Sequence, residues 1–448
     1  MNILLLTSFF PPFHTAGTEK RTLGYASQLL DMGHEVQVIC AGNWNTGSQY
    51  WNGIREENYQ GILVKRIDLN WTLAPDPNEY LYRNPLIAKH LEKWVAEINP
   101  DVIHITSCYT LSASVIEVIN GLNIPMVLTL TDFWFICPKH TLLRFDDTLC
   151  DGRTSIHECL DCLLAGNNTY QRMRPLLNTG LAASWVEWVS RHPNISNKRG
   201  LRGMALDIGD RKAYLQSMIS IPEVVVAPSS YLRDVFAEAG VSREIRVIPS
   251  GHDLSWLLPI TQKEITDVIN FGFIGQITPI KGLHVLLDAF KKNLGQKKTR
   301  LLIFGPDDQE SIYRESIRQA INGHEQSIFI RGAFPHDQLG KILSEIDMLV
   351  VPSVWHENNP RVIQEAFAVQ TPVIASNVGG MAEFVKHDDN GLLFERANEI
   401  DLARQLSRVV NESGLLQQLR DGIKPVKKIE TEVKELIKLY EELVQKRV

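Results

Sequence analysis

The chain has 448 residues, enough for two to four domains with ample core. Its 44% hydrophobic and 22% charged content is that of a globular protein in water, and a net charge of −6 argues against a general nucleic-acid binder. No apolar run approaches the ~18 residues that mark a membrane span, and the opening MNILLLTSFFPPF lacks the basic region and cleavage site of a signal peptide. A cytoplasmic setting with reduced thiols is the default expectation.

Residues 2–7 (NILLLT) form a short apolar run that reads as a buried parallel strand. A loop with two prolines and Gly17 follows, then a helix over residues 18–32, then the strand EVQVICA. Gly17 gives that loop backbone freedom and by itself also reads as an ordinary loop glycine. Residues 44–83 are polar and aromatic, with GILVKRIDL as a strand and the rest irregular. Their aromatics suit either a ligand contact or a satellite core under a long loop. Residues 84–98 read as an amphipathic helix, PDVIHIT as a strand, 111–121 as a helix and PMVLTLTD as a strand. Asp132 therefore stands at the carboxyl end of a central strand, either as a ligand contact or as a turn cap.

Cys137, Cys150, Cys159 and Cys162 fall within 26 residues, in a chain with only six cysteines. Such a cluster in a reducing compartment suggests a metal site rather than disulfides. Four thiolates suit a closed, structural zinc, with free thiols or a redox pair as the alternatives. His140 and His157 read as substitute ligands or as surface histidines. Residues 165–220, rich in Arg and Trp, read as a helical insert, or as a contact for a membrane surface or lipid-linked acceptor. VVVAPSSYLRDVFAEAG and IRVIPSGHD close the first half, and the boundary falls near residues 254–267.

INFGFIGQITPIKGLHVLLDAF opens the second half as strand, loop and helix, with Gly275, Gln276 and Lys281 in the loop. Residues 347–394 then read as strand, polar loop, helix, strand, glycine turn and short helix. Asn359 is expected to cap the helix and Pro360 to take its first position. Glu357 then lies in the loop and Glu365 within the helix, ~10 Å apart at 1.5 Å per residue. Two carboxylates beside free N–H groups at a positive helix end suit an anion flanked by hydroxyls, such as a nucleotide sugar. A last amphipathic helix is expected over residues 431–448.

Glu357, Glu365, Ala366, Thr371-Pro372-Val373, Gly379-Gly380 and Glu383 together resemble the signature of family 4 of the retaining glycosyltransferases, whose fold is GT-B. The resemblance covers nearly the whole chain and is weakest over residues 44–83 and 165–220. It implies an α/β protein with two Rossmann-like domains facing across a cleft. Residues 1–255 would be the acceptor domain and 266–427 the donor domain, with 428–448 a helix crossing back to the first. It assigns Glu357 to the donor sugar, Glu365 to the ribose and Lys281 to the diphosphate, with Asp132 as the acceptor or sugar contact. Gly17, Gly275, Gln276, Asn359 and Arg361 complete the expected nucleotide-sugar site. One branch of the family carries a similar cysteine segment.

Three positions depart from the family pattern. Ala16 replaces a glycine, Thr131 a histidine and Gln276 an arginine, so no histidine-dependent role is carried over to position 131. The activity implied is transfer of a hexose from a UDP- or GDP-sugar to a glycan or lipid-linked acceptor, with retention and without a catalytic divalent metal. Polysaccharide or other glycoconjugate biosynthesis, with peripheral contact at the inner membrane surface, is a family-level expectation. The alternatives are a nucleotide-sugar 2-epimerase of the same fold and a non-catalytic binding protein. The three departures support the latter; retention of Glu357, Glu365, Lys281 and Gly379-Gly380 opposes it.

Overall fold

The computed structural model describes residues 1–166, 171–172, 181, 188, 202–257, 268–292, 299–306 and 312–446. Most of the insert expected over 165–220, and most of the expected boundary segment, lie outside these. The chain forms two compact units, Met1–Pro249 with Ile429–Val448, and Ser250–Lys428.

The first unit runs β1 (Asn2–Thr7), α1 (Gly17–Asp31), β2 (Glu35–Ala41), β3 (Trp51–Tyr59), β4 (Ile62–Leu69), α2 (Glu79–Tyr82), α3 (Pro85–Ile98), β5 (Val102–Ile105), α4 (Ser114–Gly121) and β6 (Met126–Thr129). It continues through α5 (Ile156–Leu164), α6 (Arg202–Ile219), β7 (Val224–Ala227), α7 (Ser230–Glu238) and β8 (Ile245–Val247). Local chemistry sets several of these ends. Gly33, at φ +83°, follows α1 in the left-handed conformation that glycine adopts without cost. Asn84 caps α3 by accepting the Ile87 N–H, with Pro85 just inside the helix.

The strands pair in the order β3-β4-β2-β1-β5-β6-β7-β8. Every pair is parallel except β3 with β4. The segment 51–59, expected to be irregular, is thus an antiparallel edge strand. Its residues alternate between half-buried and exposed because only one face meets the protein. Along β1, Leu4 and Leu6 join one hydrophobic cluster and Ile3 and Leu5 another, so both faces of the sheet are covered.

The second unit runs β9 (Ile269–Ile274), α8 (Leu283–Lys292), β10 (Thr299–Phe304), α9 (Ile312–Ile321), β11 (Ile328–Gly332), α10 (Leu339–Glu345) and β12 (Met348–Val351). Then come α11 (Arg361–Ala368), β13 (Val373–Ser376), α12 (Met381–Phe384), β14 (Gly391–Phe394), α13 (Glu399–Asn411) and α14 (Leu415–Asp421). Its sheet is wholly parallel, in the order β11-β10-β9-β12-β13-β14.

The last helix, α15 (Ile429–Gln445), belongs to the first unit. Ile429, Val433, Leu436, Tyr440 and Leu443 recur at helical spacing and pack on the Ile3–Leu5 face of the sheet. Among the described residues no helix is long and apolar enough to cross a membrane.

Candidate functional site

In the second sheet the strand order reverses between β9 and β12. Open α/β sheets bind ligands at such a reversal, outside the carboxyl ends of the strands. Gly275, Gln276 and Lys281 lie in the loop after β9, and Ser353, Trp355 and Glu357 in the loop after β12.

The two loops touch through backbone. Gly282 has φ +71°, and a Cβ there would stand 1.9 Å from the Pro352 carbonyl oxygen. Only glycine lets the Pro279–Lys281 turn come this close. The Val354 N–H donates to the Ile280 carbonyl at 2.9 Å and fixes the approach. Gly275 is held in the same way: its N–H donates to the Phe304 carbonyl at 3.0 Å, and its own carbonyl leaves no room for a Cβ on Gly305. Gln276 is exposed beside it.

This contact sets Lys281 Nζ 2.5 Å from Glu357 Oε1. The same oxygen accepts the Ser353 hydroxyl and the Trp355 indole N–H, each at 3.0 Å. Glu357 is 9% exposed, so its charge is met by a cation and two neutral donors rather than by water. Glu357 Oε2 has no partner among the described residues, which leaves one carboxylate oxygen to accept a ligand hydroxyl. Burial, with Arg396 nearby, pushes the adjacent His356 imidazole down to about 4, so it is neutral at pH 7.

The glycine pair has a specific task. Gly379, at φ +64°, and Gly380 pack on the backbone of residues 356–358. A Cβ on Gly380 would stand 2.0 Å from the Asn358 carbonyl oxygen, and the Gly380 N–H donates to the Glu357 carbonyl at 2.6 Å. The turn after β13 thus buttresses the loop that carries Glu357.

Helix α11 begins one residue later than expected. Pro360, not Asn359, occupies the cap position, and no side chain caps the helix. The fixed φ of proline suits that position as well as the next, so the sequence alone does not set the boundary. Asn359 instead lies against the helix start, with its Oδ1 buried and unpartnered among the described residues. Glu365, 7% exposed, accepts a hydrogen bond from Arg361 Nε at 2.9 Å one turn away.

Gly17 and Asp132 belong to the first unit. Gly17 is the exposed first residue of α1. Asp132 Oδ1 accepts the Trp134 N–H at 2.8 Å, and His140 faces its other oxygen. His140, read from sequence as a surface residue or substitute ligand, sits in an irregular loop with no periodicity to announce that contact. Nothing in the spacing of the polar loop marks Ser353 or Trp355 as partners of Glu357.

The four clustered cysteines, all free thiols, line one cavity of about 30 Å³ with Leu142 and Leu143. The Gly152 N–H donates to Cys150 Sγ at 3.4 Å, and Thr154 Oγ1 lies 2.8 Å from Cys159 Sγ. Burial raises the Cys137 and Cys159 thiols above the usual range, which favours the protonated form. Among the described residues no three His, Cys, Asp or Glu side chains come together as a metal-holding group.

Residues 16–154 match the family model of the glycosyl transferase 4-like domain, and residues 261–424 that of glycosyl transferases group 1. The chain is therefore built of a glycosyltransferase 4-like domain followed by a group 1 domain, on the GT-B fold. An uncharacterised 42.6 kDa protein in the cps region of Klebsiella pneumoniae is 24% identical over 412 residues, 90% of this chain and 92% of that protein. An uncharacterised glycosyltransferase of Methanocaldococcus jannaschii is 32% identical over 152 residues, 34% of this chain. That match and the one to a putative glycosyltransferase of Bacillus subtilis each span 38% of the relative's length. Among solved structures, Anabaena HepE in complex with UDP superposes with a TM-score of 0.64 at 16% identity, over 99% of this chain and 100% of that one. The glycosyltransferase of Rickettsia africae gives the same TM-score at 15% identity, over 99% of both chains.

Proposed function

We propose that the protein transfers a hexose from a UDP- or GDP-sugar to a glycan or lipid-linked acceptor, with retention at the anomeric carbon. The observation that carries this is the pairing of half-buried Lys281 with buried Glu357 at the strand-order reversal. Lys281 is suited to offset the charge that develops on the leaving diphosphate, together with the backbone N–H groups at the start of α11 and around Gly275, Gln276 and Asn359. Glu357 would use its remaining oxygen to orient a hydroxyl of the transferred sugar, and Glu365, braced by Arg361, would accept from the ribose hydroxyls. Gly17 and Asp132 would serve the acceptor side. A relative named lipopolysaccharide 1,2-N-acetylglucosaminetransferase, from Salmonella typhimurium, is 24% identical over 174 residues, 46% of its length, and supports a glycoconjugate product.

Thermal shift tests the donor half. One member of a panel of UDP-, GDP- and ADP-sugars should raise the melting temperature of the wild type by mass action. Glu365→Ala should abolish that rise. Stabilisation that survives the substitution removes Glu365 from the site, and no stabilisation of well-folded protein by any donor overturns the reading.

A structural zinc on Cys137, Cys150, Cys159 and Cys162 is a separate part of the proposal. Their shared cavity supports it, although the thiols must close in to bind. Elemental analysis should find about one zinc per chain, as a closed four-thiolate site holds a single ion; none would leave the cluster as plain thiols.

A further inference from the structure

Asp132 and His140 come together by a turn of the chain. The Ile136 and Cys137 N–H groups both donate to the Phe133 carbonyl, at 3.0 and 2.7 Å, and the His140 N–H donates to the Cys137 carbonyl at 3.1 Å. His140 itself has φ +63°, a left-handed conformation uncommon for a residue with a side chain. The outcome is an imidazole folded back over the end of β6. His140 Nδ1 lies 3.7 Å from Asp132 Oδ2, while Asp132 Oδ1 is held by the Trp134 amide at 2.8 Å. Tyr109, from the segment after β5, meets the imidazole edge to face with ring centroids 4.5 Å apart. The ring is thus held on two sides. Its Nε2 has no partner among the described residues, and the His140 side chain keeps 25% of its surface exposed.

We propose that Asp132 and His140 form a carboxylate–imidazole dyad that binds a saccharide hydroxyl through His140 Nε2. The inference rests on the glycosyltransferase reading for the kind of ligand, and on the geometry for the residue. A carboxylate facing Nδ1 favours the tautomer with its proton on Nδ1. Nε2 is then an acceptor with no partner among the described residues, and a sugar O–H is a matching donor. The 3.7 Å separation is longer than a hydrogen bond, and such contacts in ligand-free sites commonly tighten when the ligand binds. The dyad follows the carboxyl end of β6, with Tyr109 after β5, one strand from the point between β1 and β5 where the strand order of the first sheet reverses. This is the edge at which such sheets take their ligands. Thr131, its neighbour at the strand end, has no comparable basic nitrogen.

Two saccharides offer this chemistry, the sugar of the donor and the acceptor. Nitrogen-15 NMR of full-length protein labelled at histidine separates them, with His140 assigned by the signal lost in His140→Gln. The wild type should show His140 mainly as the Nδ1–H tautomer, and Asp132→Asn should move it toward Nε2–H. UDP-glucose, GDP-mannose and ADP-glucose are added in turn, each against its nucleoside diphosphate alone. Methyl glycosides at millimolar concentration are then added with the diphosphate present. A shift of Nε2 with an intact nucleotide sugar but not with its diphosphate places the dyad on the donor sugar. A shift only with a methyl glycoside places it on the acceptor. The same tautomer in wild type and Asp132→Asn, or an Nε2 signal indifferent to every ligand, overturns the proposal. A rise in the wild-type melting temperature with a nucleotide sugar, seen while His140 Nε2 stays indifferent, keeps that failure distinct from failure of the donor reading.

Discussion

Glu19 lies in the first turn of α1, 7% exposed, with Oε2 unmatched by any donor among the described residues. Burial raises its pKa above 4.5, and its own backbone N–H and His14 only partly offset that. A carboxyl whose folded value is raised stabilises fully below its unfolded value, and that stability is lost as pH rises through the folded one. Glu19→Gln should therefore raise stability at pH 7 and change little at pH 4. Melts at the two pH values check this; a loss at pH 7 would mean that the carboxylate has a partner it needs. At the same scale, the placement of Glu357 in a loop after a strand and of Glu365 in the helix that follows was legible from the strand–loop–helix pattern, while Lys281 was singled out by the family resemblance. The Asp132–His140 contact was not. It depends on a left-handed residue inside an irregular loop, and no rule of spacing predicts where such a loop returns.

Among the elements, α15 is held by more than its apolar stripe. Glu432 is fully buried and accepts from both the Arg21 guanidinium and the Tyr25 hydroxyl of α1, the latter at 2.6 Å. One turn on from Leu436, the Tyr440 hydroxyl lies 2.6 Å from His104 Nδ1, and burial pushes that imidazole down to about 3. Glu432→Ala strands a buried guanidinium and should cost about 3–5 kcal/mol, the range for breaking a buried ion pair from one side. Urea unfolding of the first unit measures it, and a change below about 1 kcal/mol would mean that water replaces the carboxylate. The amphipathic period of this helix was readable, but its polar anchor was not, because a glutamate in such a pattern reads as solvent-facing. Strand β3 was lost for a related reason. WNGIREENY carries its apolar residues singly, and an edge strand with one wet face needs few of them. Arg66, on β4, is fully buried, and its guanidinium donates to the Phe10 and Pro11 carbonyls that shape the loop after β1.

For the molecule as a whole, the α/β class was legible because its parallel strands are continuous apolar runs separated by helical periods. Sheet order was not read from those runs, since nothing in one strand names its neighbour. The discontinuous first unit has a consequence for synthesis. Residues 250–428, 179 in all, are made after the body of that unit and before the helix that finishes it. At 5–20 residues per second the interval lasts roughly 10–40 s. Through it, Ile3, Leu5 and Val38 form an open apolar surface on a half-made protein, while the second unit already has every strand of its own sheet. A nascent chain of this design is most exposed to aggregation and to chaperones at its oldest end. A product that stops short of residue 429 keeps that surface open for good.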